Sequence, residues 1–424
     1  TQPEILAYLG FVADKYDLRG DIRFGARVTG ARWDATAARW TIATEAGTQY
    51  TARYYVMASG CLSVPKDVDV PGLEQFAGPT YRTGRWPHDG VDFAGQRVAV
   101  IGTGSSGIQS IPLIAEQAAH LTVFQRTPAF SFPAHNGPVP DAKRAAYRAD
   151  PAGYRQAARN SRIGVPAERS ETLAMTVPAD ERRAHYEAIW AQGELVAITG
   201  AYADILLDPA ANDDYAEFVR GKIRDIVDDP ATAAKLAPTT YPIGAKRPCL
   251  DTGYYATFNR PDVDLVDLRD TPITAVTQSG IATADGAVRE FDSVVLATGF
   301  DALTGAIVAV DIAGRDGVAI ADRWEHGPLN YLGLMTRGFP NLFMITGPGS
   351  PSVFSNMAVS IEQHVDLVAE LIARADAGGH TSVEPSELAE SAWVQHSADL
   401  GDLSLMSLAD SWYNGANVPG KPRV

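Results

Sequence analysis

The chain has 424 residues, with 36 Lys and Arg against 51 Asp and Glu and a formal net charge of −15. An acidic surface of this kind repels polyanions and no basic run overrides it, which argues against nucleic acid or an anionic membrane as partner. Hydrophobic residues make up 46% and charged ones 21%, the balance of a globular protein of two or three domains. No stretch approaches the ~18 apolar residues of a membrane span and no leader pattern opens the sequence, so a cytoplasmic-type location is expected. Thr1 rather than Met stands first, and the chain is read as a piece of a longer product.

Thr1-Gln2-Pro3-Glu4 predicts a helix start: Thr and Glu form a capping box, and Pro suits the first turn. Ile5, Leu6, Leu9, Val12 and Ala13 recur on one face, and the helix is expected to reach about Leu18. Residues 22–28, 40–44 and 50–57 read as an antiparallel meander that needs a further surface to pack on. Pro65, Pro71 and Gly72 mark a linker. Residues 97–101 (RVAVI) then have the near-continuous apolar character of a buried parallel strand. A glycine-rich turn, a helix over 108–119 and a strand over 121–124 complete a βαβ unit. From about 141 to 236 the composition turns helical, as in 215–227, and is long for a loop. Strand patterns return at 263–266, 273–276 and 293–297, and a helix is expected over 360–373.

Gly102-Thr103-Gly104-Ser105-Ser106-Gly107 is a G-x-G-x-x-G turn between strand and helix. Its glycines permit the tight turn, the approach of a pyrophosphate and close helix packing, while the helix N-terminus offers unpaired N–H groups to phosphate. The next strand ends in Gln125-Arg126-Thr127 where an NAD site usually places a carboxylate. A guanidinium there welcomes a 2′-phosphate, so NADP is favoured over NAD. Met57-Ala58-Ser59-Gly60 and Ala297-Thr298-Gly299-Phe300-Asp301 each end a strand in small residues and glycine, a paired hint of a second nucleotide.

In Gly244-Ala245-Lys246-Arg247-Pro248-Cys249, the proline holds Arg247 extended. Facing an active site, Arg247 would be a permanent charge for an anionic intermediate and never an acid or base; a solvated loop is the alternative. Cys61 and Cys249 are read as packing residues, lacking any CxxC. The eight histidines show no metal-ligand spacing, so no metal is expected, and no Ser-His-Asp set presents itself. The difficult chemistry then belongs to a cofactor.

The run from Phe76 through Gly78, Arg82, Trp86 and Pro87, placed just before GTGSSG, resembles the F-x-G-x-x-x-H-x-x-x-W-P fingerprint of flavoprotein Baeyer–Villiger monooxygenases. The resemblance extends through FQRTP (124–128), AKRPCLDTGYY (245–255), ATGFDALTG (297–305), GPGSPS (347–352) and SWYNGANVPGKPRV (411–424), and is nearest the phenylacetone monooxygenase branch. It implies an α/β flavoprotein with two Rossmann-like dinucleotide-binding domains, for FAD and NADP(H), and a helical insertion. The reaction implied is NADPH- and O2-dependent conversion of a small-molecule ketone to an ester or lactone, with sulfoxidation as a side activity; the sequence does not fix the oligomeric state, and a monomer is the expectation.

By the same resemblance Arg247 stabilises the anionic oxygen intermediates. Arg126, Thr127 and Lys246 hold the NADP 2′-phosphate, Trp412 contacts the nicotinamide cofactor, and Ser352, Val353 and Phe354 line the substrate pocket. Arg82 replaces the fingerprint histidine, which bears on coupling between domains. The expected layout is residues 1–64 for the first part of the FAD domain and 65–90 for a linker. The NADP domain follows at 91–140, returning at 237–292 after the insertion at 141–236, and 293–424 complete the FAD domain. Family members carry a further GxGxxG and an acidic residue ahead of the position of Thr1, and a segment beyond that of Val424. The FAD domain of residues 1–424 is therefore expected to be incomplete and to hold FAD weakly. A heteroatom-oxidising flavin monooxygenase and an inactive NADP-binding fragment are the alternatives; a disulfide reductase would need a close cysteine pair.

Overall fold

A computed structural model describes residues 2–423 except 67–69, 167–169, 195–196, 198–199 and 351–354. Helix α1 (Gln2–Lys15) ends before the expected Leu18, where a 3₁₀ turn (Leu18–Asp21) takes over; Thr1 lies outside the described residues. The apolar face of α1 has the expected spacing but buries nothing: Ile5, Leu6 and Leu9 are 62%, 61% and 58% exposed. Local i to i+4 hydrogen bonding sets the helix, and no described element covers it.

The meander is β1 (Val28–Asp34), β2 (Arg39–Thr44) and β3 (Gln49–Ala52). Two expectations are corrected here. Residues 22–27 are not strand, and 50–57 divides into β3 and a separate β4 (Tyr55–Met57). β4 leaves the antiparallel sheet because its backbone pairs in parallel with β16 (Leu342–Met344) instead. The surface the meander needed is supplied from far along the chain: β15 (Asp311–Ala313) pairs in parallel with β1. Trp40 is fully buried among residues that include Ile312, Phe339 and Leu342, and its indole N–H donates to the Pro340 carbonyl at 2.8 Å.

The pyridine-nucleotide side is a five-stranded parallel sheet in the order β10-β7-β6-β14-β5. Its strands are β5 (Thr80–Arg82), β6 (Arg97–Ile101), β7 (His120–Gln125), β10 (Val263–Asp267) and β14 (Ser293–Leu296). Val98, Val100, Val123, Val294 and Val295 are all fully enclosed, each worth about 1.5–3 kcal/mol of burial. β14, which begins at the expected division, belongs to this sheet, between β6 and β5, because hydrogen bonding and apolar packing, not chain order, decide membership. The linker's own β5 is its edge strand.

Helix α2 (Ser105–Ala115) follows β6 on one face of this sheet. The insertion is helical as expected: α3 (Asp141–Ala149), α4 (Pro151–Asn160), α5 (Ala179–Gln192), α6 (Pro209–Ile226) and α7 (Pro230–Leu236). Part of it builds a core together with Phe132 from the segment before it: Phe132 and Phe218 stack on Tyr215, and Tyr186 packs against Tyr215 at a tilt. Asp150, Asp208 and Asp229 cap α4, α6 and α7, each followed by proline at the first helical position. Strand β8 (Ser131–Pro133) pairs in parallel with β9 (Cys249–Asp251), tying the segments before and after the insertion together. Further on come α8 (Tyr254–Thr257), the small sheet β11 (Ile273–Val276), β12 (Gly280–Thr283) and β13 (Val288–Glu290), and the short helices α9 (Gly305–Val308) and α10 (Ile320–Arg323). The chain closes with α11 (Met357–Ala377) and α12 (Glu387–Asp402). No helix among the described residues is long and apolar enough to cross a membrane.

Candidate active site

Strands β6 and β14 are adjacent, so the GTGSSG turn and the ATGF turn (297–300) leave the sheet side by side, at the point where strand order reverses. Ligands of open α/β sheets bind at such a crevice. Gly102 has φ 110°, and a Cβ there would stand 2.5 Å from the Ala297 carbonyl oxygen; one on Gly107 would stand 2.2 Å from the oxygen of Gly102. Gly104, by contrast, faces open space, and as N-cap of α2 it has no side-chain cap. Unpaired N–H groups and open space at one helix N-terminus fit a pyrophosphate. Thr103 does not turn its hydroxyl to that space: it is buried and donates to the Thr127 carbonyl at 3.0 Å, locking the 102–107 turn to the Arg126 turn. Ser105 meets the Cys249 thiol at 3.2 Å, and Ser106 carries the backbone carbonyl that accepts from Ser110.

Three cations gather beyond this turn. Burial first, and then the Arg126 guanidinium, hold both the Lys66 and Lys246 ammonium groups below their ordinary pKa, opposed by Asp301 and Asp410 respectively. Like charges are held together here at an electrostatic cost, the usual mark of an anion site. Lys246 also donates to the Asp410 carbonyl and sits 5.4 Å from the Tyr241 ring centroid. Lys66, which donates to the Asn417 carbonyl at 2.6 Å, was not among the residues expected from the sequence. Its only linear signal is a lysine after Pro65.

Arg247 emerges exposed beside the half-buried Lys246, just before β9. Its charge acts on the Tyr413 hydroxyl and the Cys61 thiol: burial raises both of those groups and Arg247 opposes the rise. Tyr413 is held by a 3₁₀ turn (Trp412–Asn414) with a complete capping box between Ser411 and Asn414, and the Trp412 ring packs edge-on against it at 4.7 Å. The closing segment is fastened to the ATGF turn: Asn417 donates to the Phe300 carbonyl at 2.8 Å, and Lys421 pairs with Asp301 and the Ala302 carbonyl. Residues 61–66 run along the same turn through Asp301 N–Val64 O, Leu303 N–Cys61 O and Lys66 N–Gly299 O hydrogen bonds of 2.8, 2.9 and 3.0 Å. Lys66, Arg126, Lys246, Arg247, the 297–300 turn and Trp412 are thereby brought to one place.

The fingerprint residues form the wall beside it. Trp86 packs on Tyr81 and Phe93 at 5.8 and 6.2 Å, and Phe76 joins the apolar layer under β14. Gly78 leads into β5 and Pro87 is exposed beyond it. Arg82 donates to the Lys66 carbonyl at 3.3 Å, joining the fingerprint to the cation cluster. Ser352, Val353 and Phe354 lie outside the described residues. Among the described residues no group of three His, Cys, Asp or Glu is placed to hold a metal.

The profile of the pyridine nucleotide-disulphide oxidoreductase family matches residues 1–137. The chain is 41% identical over 422 residues to a Baeyer-Villiger monooxygenase of Pseudooceanicola batsensis, covering 99% of this chain and 76% of that protein. Among solved structures, an oxidized steroid monooxygenase bound to NADP is 50% identical with a TM-score of 0.93, covering 97% of this chain and 79% of that one. OTEMO in complex with FAD and NADP is 38% identical with a TM-score of 0.94, covering 97% of this chain and 78% of that one. With the nucleotide turns, the fixed arginine and the fingerprint edge strand already in place, these likenesses establish that the chain belongs to the Baeyer–Villiger monooxygenase family.

Proposed function

We propose that this chain catalyses Baeyer–Villiger oxidation of a small-molecule ketone: ketone, O2, NADPH and a proton give ester or lactone, NADP+ and water. FAD, when bound, supplies the redox chemistry, taking a hydride from NADPH and activating O2. The reading is carried above all by one observation: a permanent cation, Arg247, stands next to Lys246 in a cluster with Lys66 and Arg126, near the 297–300 turn.

In this reading Gly104 and the N-terminus of α2 receive the NADP pyrophosphate, and Lys66, Arg126 and Lys246 the 2′-phosphate. Trp412 covers the nicotinamide. FAD would be held at the carboxyl ends of the parallel strands β4 and β16, with the 297–300 turn beside it. Arg247 faces the oxygen on which negative charge develops; as a guanidinium it stabilises that charge and donates no proton. By the family resemblance Ser352, Val353 and Phe354 are assigned to the ketone pocket, and Phe354→Ala is expected to widen the range accepted, read as altered relative rates across a ketone panel. The NADP domain comprises 91–140 and 237–296, and the FAD domain 1–64 and 297–424, with 141–236 packed against them.

The test is product analysis with 18O2. One labelled oxygen per ester and one NADPH consumed per ester formed are expected. NADPH oxidation without ester from any ketone would overturn the reading, and oxidation of a thioether while ketones stay intact would replace it with heteroatom oxidation.

A further inference from the structure

The turn after β16 carries a conformation its residue resists. Thr346 has φ 52°, in the left-handed region, where a β-branched side chain crowds its own backbone. Such a residue persists only where its surroundings over-determine it. Here they do. Thr346 is 8% exposed, and its backbone N–H donates to Nδ1 of His364 at 3.0 Å. His364 is itself 8% exposed, on the buried side of α11 with Val368. A ring nitrogen that accepts this bond carries no proton, so His364 is neutral with its hydrogen on Nε2. Burial, which lowers the pKa of the imidazole, agrees with that state.

The same turn is tied at other points: Ile345 N–H donates to the Met57 carbonyl at 2.9 Å, and Gly347 N–H to that of Gly333 at 3.2 Å. The Trp393 indole donates to the Gly349 carbonyl at 3.2 Å. His364 alone among these supplies a side-chain acceptor to the strained residue. We propose that His364 is a positioning residue: it holds Thr346 in the left-handed conformation and so fixes the 346–350 turn against FAD. The proposal rests on the placement of FAD at the carboxyl ends of β4 and β16.

The full chain is compared as His364→Leu, which lacks an acceptor, and His364→Asn, whose Oδ1 can take the place of Nδ1. Two quantities are read: hydrogen exchange of the Thr346 amide, and FAD affinity by quenching of flavin fluorescence. A buried N–H left without a partner predicts roughly tenfold faster exchange and roughly tenfold weaker FAD binding in His364→Leu, with both restored in His364→Asn. Unchanged exchange in His364→Leu overturns the proposal, as does faster exchange with FAD affinity unaltered, or failure of Asn to restore either. If His364→Leu does not fold, Thr346→Gly decides. Glycine adopts this conformation without a clamp, so His364→Leu in the Thr346→Gly background should fold and bind FAD within about threefold of Thr346→Gly alone. A full loss in that background overturns the positioning role. Failure of the unaltered chain to take up FAD breaks the functional reading instead, while Thr346 exchange still reports on the clamp.

Discussion

Two turns follow parallel strands in this molecule, and they meet the same demand by different means. The 102–107 turn puts its left-handed residue and its closest backbone approach on glycines, so the geometry is written locally. The 346–350 turn has a glycine at its second left-handed position, Gly349, but puts the first on a threonine, which depends on an imidazole 18 residues further along the chain. A turn made by glycine depends little on its surroundings, whereas one made by a β-branched residue is only as rigid as the core behind it.

The severest way to break the comparison is Gly107→Val. Its Cβ would overlap the Gly102 oxygen, and neither backbone segment can yield, so a loss of about 3 kcal/mol or more is expected in urea unfolding. A midpoint within error of the parent would mean the glycine turn is as adaptable as the other. Next in size, Arg247→Ala is expected to lower kcat about 10²–10³-fold while NADPH still binds. Retained turnover would remove the arginine from the chemistry.

Arg126→Ala separates the nucleotides. Removing one of three clustered cations should raise KM for NADPH about tenfold or more and leave KM for NADH nearly unchanged. Equal effects on both would place the 2′-phosphate elsewhere. The smallest expected effect is on pH dependence. Burial depresses the folded-state pKa of His364, so between that value and the ordinary one near 6.5 the unfolded chain binds more protons. Stability from this site is complete above about pH 6.5 and falls as the pH drops through the depressed pKa. His364→Asn, which does not titrate, should show a shallower fall in urea midpoint from pH 7 to pH 5; identical slopes would refute this.

What was legible in the sequence was what local pattern encodes. The RVAVI strand, the glycine turn and the helix after it were placed from 97–119 alone, since apolar runs and glycines act over a few residues. Arg247 and Lys246 were picked out because Pro248 and the paired charge are contiguous. Lys66 and Tyr413 were not: each lies in a segment of its own and gains meaning only where linker and closing segment cross the 297–300 turn. The separation of β4 from β3 and the seating of β14 beside β6 escaped for the same reason, since their partners lie far away in the chain.

By itself, then, the sequence determined the α/β class, the first nucleotide turn, the preference for a 2′-phosphate and the family, because these rest on short motifs whose chemistry is complete within a few residues. The tertiary structure alone decided which cations gather in one place, that Tyr413 comes within reach of the Arg247 charge, and that Thr346 is held by His364. Each of these is a contact between residues distant in sequence, and only packing brings such groups within the few ångströms over which charge and hydrogen bonds act.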